Sequence, residues 1–218
     1  MLKNIVQGDP IWNTERSFRI SGSKCYSLYT FNSCNIEDWT KKIRSLYFNS
    51  FAGNEATRYG LSHENVAREK YMKDTGTNVV EVGLVILPQL PWLAFSPDGI
   101  VFQHGKPSHL LEIKCPLLAV TSSFQDLITS KKKNFLTGDN HNGYQLKKKN
   151  PYYGQIQLGL ALLNMEMCHL YVYSKHESAL IIQVKKDNEF INDMLENLRK
   201  KYFLYILPLF VEMFNKNM

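Results

Sequence analysis

The chain has no long apolar run. Its longest, Phe203 to Val211, is too short to span a bilayer and is interrupted by Pro208. The opening Met-Leu-Lys-Asn-Ile-Val-Gln-Gly-Asp-Pro lacks the apolar stretch of a secretory signal. Cysteine is scarce: the 4 thiols, Cys25, Cys34, Cys115 and Cys168, are scattered, with no Cys-x-x-Cys pair and no histidine at zinc-finger spacing. That pattern excludes a disulfide-stapled scaffold and argues against zinc or an iron–sulfur cluster. Internal repeats are missing, and lysine clusters are the only biased stretches. The expectation is a soluble, intracellular chain with no membrane partner and reduced, mostly buried thiols.

What is present suits one globular unit. At 218 residues, with 44% hydrophobic and 12% aromatic content, the chain can bury one sizeable core and is not disordered. Lys plus Arg is 26 against 20 for Asp plus Glu, a net charge of +6 that leans towards a polyanionic partner. The domain expected is therefore single, 1–218, with a core over about 16–185 and a C-terminal helix over about 187–215.

Asn35 caps an expected helix Ile36 to Phe48, and Asn54 caps another from Glu55 to about Lys73, stopping before Gly76. Valine, isoleucine and leucine density predicts strands at Asn78 to Leu87 and Trp92 to Phe95. Ile100 to Phe102 is extended, His104 to Ser108 a hairpin turn, and Leu110 to Lys114 the returning strand. Residues 130 to 150, polar and lysine-rich, predict a mobile loop. Pro151 starts a helix to about Met165. Strands follow at His169 to Tyr173 and Ala179 to Val184, then an amphipathic helix carrying Ile191, Leu195, Leu198 and Tyr202. Helix, mixed strands, helix, strands, helix predicts an α/β sandwich around one central sheet.

The chemistry concentrates between Trp92 and Pro116. Glu112 and Lys114 lie two apart on a strand and project from the same face, while Ile113 and Cys115 point the other way. The hairpin can bring Asp98 beside Glu112. Paired carboxylates repel unless a cation sits between them, and hard oxygen ligands suit magnesium or manganese. A surface ion pair is the bland alternative, but Leu110, Leu111 and Ile113 make this an interior strand, which rarely carries Glu and Lys without a function.

Ser96-Pro97-Asp98-Gly99 followed by Leu111-Glu112-Ile113-Lys114-Cys115-Pro116 resembles the core of the phage lambda exonuclease and YqaJ-like viral recombinase family, within the PD-(D/E)xK nuclease superfamily. Further blocks resemble that family in the same order: Arg16 through Ser23, Gly60 through Arg68, and Tyr152-Tyr153-Gly154-Gln155-Ile156-Gln157.

The resemblance implies a restriction-endonuclease-like α/β core, a central mixed β-sheet flanked by α-helices. It implies a metal-dependent deoxyribonuclease, acting 5′→3′ on linear double-stranded DNA and leaving single-stranded tails for recombination. Mg2+, or Mn2+ in its place, would be held by Asp98, Glu112, the Ile113 backbone carbonyl and Glu64, and Lys114 would complete the catalytic set. Arg16, Ser23, Ser96 and Gln155 would grip the DNA 5′-phosphate, with Arg19 able to substitute for Arg16. A glycine at position 60 would allow close approach of its helix to the sheet. Positions 155 and 157 are about 200° apart on a helix, so only one faces the cleft, and Gln155 is chosen. Tyr152, Tyr153 and Trp92 are candidates for stacking on bases, and Lys131–Lys133 and Lys147–Lys149 for holding the DNA backbone. The resemblance also suggests a ring trimer and a single-strand annealing protein as partner. The rivals are an endonuclease of the same superfamily and a catalytically inactive DNA-binding or adaptor domain.

Overall fold

The computed structural model describes residues 8–48, 53–129, 134–139 and 141–215. Asp9 caps α1 (Pro10–Ser17), accepting from the Ile11 N–H, and a short strand β1 (Ile20–Ser21) leads into α2 (Gly22–Tyr29). α3 (Ile36–Ile43) is capped by Asn35 as expected but does not stay α-helical to Phe48. It widens into a π-turn at Arg44–Phe48, which sets Tyr47 against Phe210 and lets its hydroxyl donate to the Arg19 carbonyl. α4 (Glu55–Thr75) starts at Asn54, whose side chain accepts from the Thr57 N–H. It stops at Gly76, whose φ of 65° is open to glycine at little cost.

The expected strand Asn78 to Leu87 is only β2 (Asn78–Val80). Beyond it Leu84 packs with Trp12 and Ala94, and Val85 makes a lone bridge to Phe95. The apolar density there serves packing rather than a ladder. Likewise only Leu93–Ala94 of the Trp92 to Phe95 segment forms a strand, β3, parallel to β1. β4 (Gly99–Gln103) and β5 (Lys106–Lys114) are joined by His104-Gly105 alone. Both turn residues have positive φ, 50° and 76°, which allows a two-residue turn and lengthens β5 into the expected turn region.

A 3-10 turn, Leu117–Val120, precedes α5 (Phe124–Thr129). The expected loop over 130 to 150 instead contains a hairpin, β6 (Leu136–Asp139) and β7 (Gly143–Leu146). Leu136 and Leu146 are buried and anchor it to the core, which polar composition alone concealed. Lys131, Lys132 and Lys133 lie outside the described residues. Then come α6 (Pro151–Leu163), β8 (Met167–Val172), β9 (Leu180–Lys185) and α7 (Asn188–Lys201), and a π-turn passes into α8 (Leu207–Asn215). No helix among the described residues is long and apolar enough to cross a membrane.

The main sheet runs β2-β4-β5-β8-β9, with β5 and β8 parallel and the other neighbours antiparallel. β5 is central, and both its faces are covered. Ala67 and Tyr71 of α4 pack with Leu111, Ile113 and Tyr171 on one face. Leu28, Ile156, Leu158 and Met194, from α2, α6 and α7, pack with Leu110 and Leu170 on the other. Gly159 is what lets α6 sit this close: a Cβ there would lie 2.4 Å from Phe95 Cζ. Trp92 and Tyr153 are buried in this core, so neither is available to stack on a base.

Candidate active site

Register brings the two acids together. Gly99 faces Leu111 across the antiparallel β4–β5 pair, so one step further sets Asp98 opposite Glu112. Asp98 Oδ2 accepts the Ile113 N–H at 2.7 Å, fixing the Ser-Pro-Asp-Gly turn onto β5. Ile113 faces the α4 side with Leu111, while Glu112 shares the α6 face with Leu110. The alternation expected from sequence is therefore present.

Glu112 is 0% exposed. Its Oε1 accepts from the Lys114 ammonium and, at 2.6 Å, from the Gln155 amide of α6. Its Oε2 is buried with no hydrogen-bond partner among the described residues. A buried carboxylate oxygen left bare is costly unless a cation or donor serves it. Burial, and then the Asp98 charge, push the Glu112 carboxyl up to about 8. Burial also raises Asp98, against the pull of Lys114 and the Ile113 N–H. For Lys114, burial works against the charge, but Glu112 and Asp98 outweigh it and the pKa is raised. Lys114 Nζ also lies 4.7 Å from the centre of the Tyr152 ring, so Tyr152 contacts this lysine.

Glu64 comes from α4, whose Asn54 cap and αL stop set its length. Its carboxyl is raised by burial and then by the Asp98 charge, which places it in the field of the same site. Arg68, one turn later, donates to Glu64 Oε1 at 3.0 Å. Gly60 does not mediate close approach to the sheet, because a Cβ there would meet nothing within 4 Å. It lines an open cleft of about 530 Å³ together with Glu64, Lys114, Leu117, Leu136 and Tyr152.

The expected phosphate-gripping residues form a second group near the first. Arg16 donates to Ser23 Oγ at 3.3 Å and stacks over Trp12 at 4.0 Å. Arg19 is committed elsewhere, to the Glu15 side chain at 2.7 Å and the Pro91 carbonyl at 2.8 Å, so Arg16 has the freer guanidinium. Ser21 and Ser23 hydroxyls are 3.2 Å apart. The β1–β3 pairing ends at Ser21 and Ala94, putting Ser23 and Ser96 just beyond the same end of that pair. Gln155 spends its amide on Glu112, yet its Cγ is 3.2 Å from where a Gly22 Cβ would lie, so it spans both groups. Gln157 is occupied structurally, donating to the Lys185 carbonyl and accepting the Asp187 N–H. Lys148, one of the expected DNA-holding lysines, pairs with Asp187 at 2.7 Å.

Two residues received no role from the sequence. Lys24, directly after Ser23, is drawn down to about 8 by burial and then by Arg16, and it sits over the Tyr47 ring at 3.6 Å. Its adjacency to Ser23 was the available signal. Arg68 stood four residues after Glu64, the spacing at which helix side chains meet.

Among the described residues, no group of three or more His, Cys, Asp and Glu side chains is gathered as a complete metal cage. What fits a hard divalent ion is the bare Glu112 Oε2 and the Asp98 carboxyl from the position opposite it, with the Lys114 ammonium drawn onto Glu112 Oε1 rather than onto that oxygen. Glu64 stands further out, tied to Arg68.

A five-stranded mixed sheet with helices on both faces, carrying acids and a lysine at the end of its central hairpin, is a restriction-endonuclease-like fold. The chain belongs to the YqaJ-like viral recombinase domain family, whose model matches residues 11–166. It is similar to LHK-Exo, an alkaline exonuclease from Laribacter hongkongensis: TM-score 0.68, 20% identity, covering 96% of this chain and 98% of that one. A phage-related exonuclease from Haemophilus somnus 129PT matches with TM-score 0.60 and 14% identity over 92% of this chain and 99% of that one. SOX, solved in complex with DNA, matches with TM-score 0.56 and 11% identity over 91% of this chain and 69% of that one. No curated protein matched the chain.

Proposed function

We propose that this chain is a metal-dependent deoxyribonuclease that degrades linear duplex DNA 5′→3′ and leaves single-stranded tails. The observation that carries it is the buried Glu112 Oε2, without a hydrogen-bond partner among the described residues, on a strand position opposite Asp98 and beside a lysine that borders an open cleft. Family membership and likeness in fold to the exonucleases support it.

Asp98, Glu112 and the Ile113 carbonyl would hold Mg2+, or Mn2+ in its place, with Glu64 completing the set from α4. Bound there, the ion supplies a water of lowered pKa and withdraws charge from the phosphoryl group. Gln155 holds Glu112 Oε1 in place from α6. Lys114 orients the attacking water and offsets charge growing on the phosphoryl oxygens. Arg16, with Ser23 and Ser96, binds the terminal 5′-phosphate, the planar guanidinium offering a fork that lysine cannot. A strand end held in this way favours attack from the end. By family resemblance, assembly is a ring trimer and the product strand passes to an annealing protein.

Linear and covalently closed duplexes, each linear form with and without a 5′-phosphate, test this in magnesium. Loss of linear DNA only, faster with the phosphate, is expected. Rapid loss of closed circles would show an endonuclease, and indifference to the phosphate would remove the pocket.

A further inference from the structure

Arg68 is one of the few charged side chains buried in the molecule, at 7% exposure. Its guanidinium reaches three parts of the chain at once. Nε donates to the Asp98 backbone carbonyl at 3.0 Å, and one terminal nitrogen to Glu64 Oε1 at 3.0 Å. The other terminal nitrogen meets Asn65 Oδ1 at 3.0 Å and Glu81 Oε1 at 2.9 Å. A buried cation with this many partners is costly to build and costly to break. Glu81 is largely exposed and needs no buried partner. The two inner contacts are the informative ones, because they join the helix carrying Glu64 to the turn carrying Asp98.

We propose that Arg68 is a positioning residue that sets the distance between Glu64 and Asp98 and so assembles the divalent-ion site. Glu64 and Asp98 repel one another across that site, and Asp98 alone is pinned to β5 through the Ile113 N–H. Glu64 is held towards it by Arg68. The same guanidinium plane grips the Asp98 carbonyl, so α4 and the β3–β4 turn cannot move independently. Lysine would keep the charge but lose the planar fork that spans both acceptors. The inference rests on the metal-dependent reading above and adds the residue that organises it.

Arg68→Lys is the sharper variant and Arg68→Ala the harsher one. Steady-state cleavage of 5′-phosphorylated linear duplex, calorimetric titration of Mn2+ without DNA, and circular dichroism of the metal-free protein together read the effect. The expected result for Arg68→Lys is a native circular-dichroism spectrum, a KM for DNA within twofold of the parent, a kcat down tenfold or more, and weaker Mn2+ binding. Parental kcat and Mn2+ affinity in a folded Arg68→Lys protein would overturn the proposal, as would lost activity with unchanged Mn2+ binding. A parent protein that neither binds Mn2+ nor cleaves DNA would instead overturn the nuclease reading.

Discussion

Removing Lys114 tests the site on two independent scales. Its ammonium lies on Glu112 Oε1, and its side chain is 18% exposed against 0% for Glu112. Lys114→Ala leaves that oxygen with the Gln155 amide alone, while Oε2 remains bare. Breaking one partner of a buried ion pair costs about 3–5 kcal/mol, a cost felt in full only where Glu112 is ionised. The cost depends on pH in a defined direction. Glu112 titrates at about 8, above the unfolded value of 4.5, so in metal-free protein its favourable contribution is full below 4.5 and is lost as pH rises through 8. Without the ammonium the carboxyl is raised further, so the gap between parent and variant widens as pH rises from 6 to 9. Denaturant unfolding in EDTA at both pH values reads this directly. Cleavage of linear duplex in magnesium is expected to fall about 10²–10³-fold, the scale of losing one charge-stabilising donor. A variant with parental activity, or a stability gap that stays flat with pH, would refute the arrangement.

Gln155→Leu removes the second donor to Glu112 Oε1 without adding charge, and activity on 5′-phosphorylated duplex is expected to fall about tenfold with near-parental folding; Gln157→Leu should instead lower stability and spare kcat/KM. Arg16→Lys should erase the preference for a 5′-phosphate while leaving slow cleavage of 5′-hydroxyl ends, as competition between the two substrates would show. The Tyr71 hydroxyl lies 2.9 Å from His109 Nε2 and 2.7 Å from His169 Nδ1, a buried cluster on the α4 face of the sheet. Burial and then His169 lower His109 to about 4, below the unfolded 6.5, so this stability is full above 6.5 and is lost as pH falls towards 4. The loss amounts to up to about 3 kcal/mol, and thermal melts of His109→Gln between pH 7 and 4 should be flatter than the parent's.

Much of this was legible in the sequence because it depended on local signals. Asn35, Asn54 and Gly76 mark helix ends by side-chain and backbone chemistry that needs no tertiary context. The alternation of Leu111, Glu112, Ile113 and Lys114 reads directly as two faces of a strand. What stayed hidden is set at a distance. Leu84 looks like strand and is packing, while Leu136 and Leu146 anchor a hairpin inside a stretch that polar composition marks as loop. The positions of Glu64, Arg16 and Ser96 came from family resemblance, since no spacing in the chain predicts that α4, α1 and the β3–β4 turn converge. Arg68 carries no local signal of its burial, because its partners lie up to 30 residues away. Gly60 differs from expectation for a related reason: four residues before Glu64, it shares that helix face, but the spacing does not say whether the face meets the sheet or an open cleft.

The most direct test is a crystal structure of the chain grown with Mn2+, read by anomalous scattering. A peak coordinated by both Asp98 and Glu112 Oε2, with the Lys114 ammonium moved off Glu112, is predicted. Manganese found only at surface carboxylates, with Lys114 still seated on Glu112, would contradict the account.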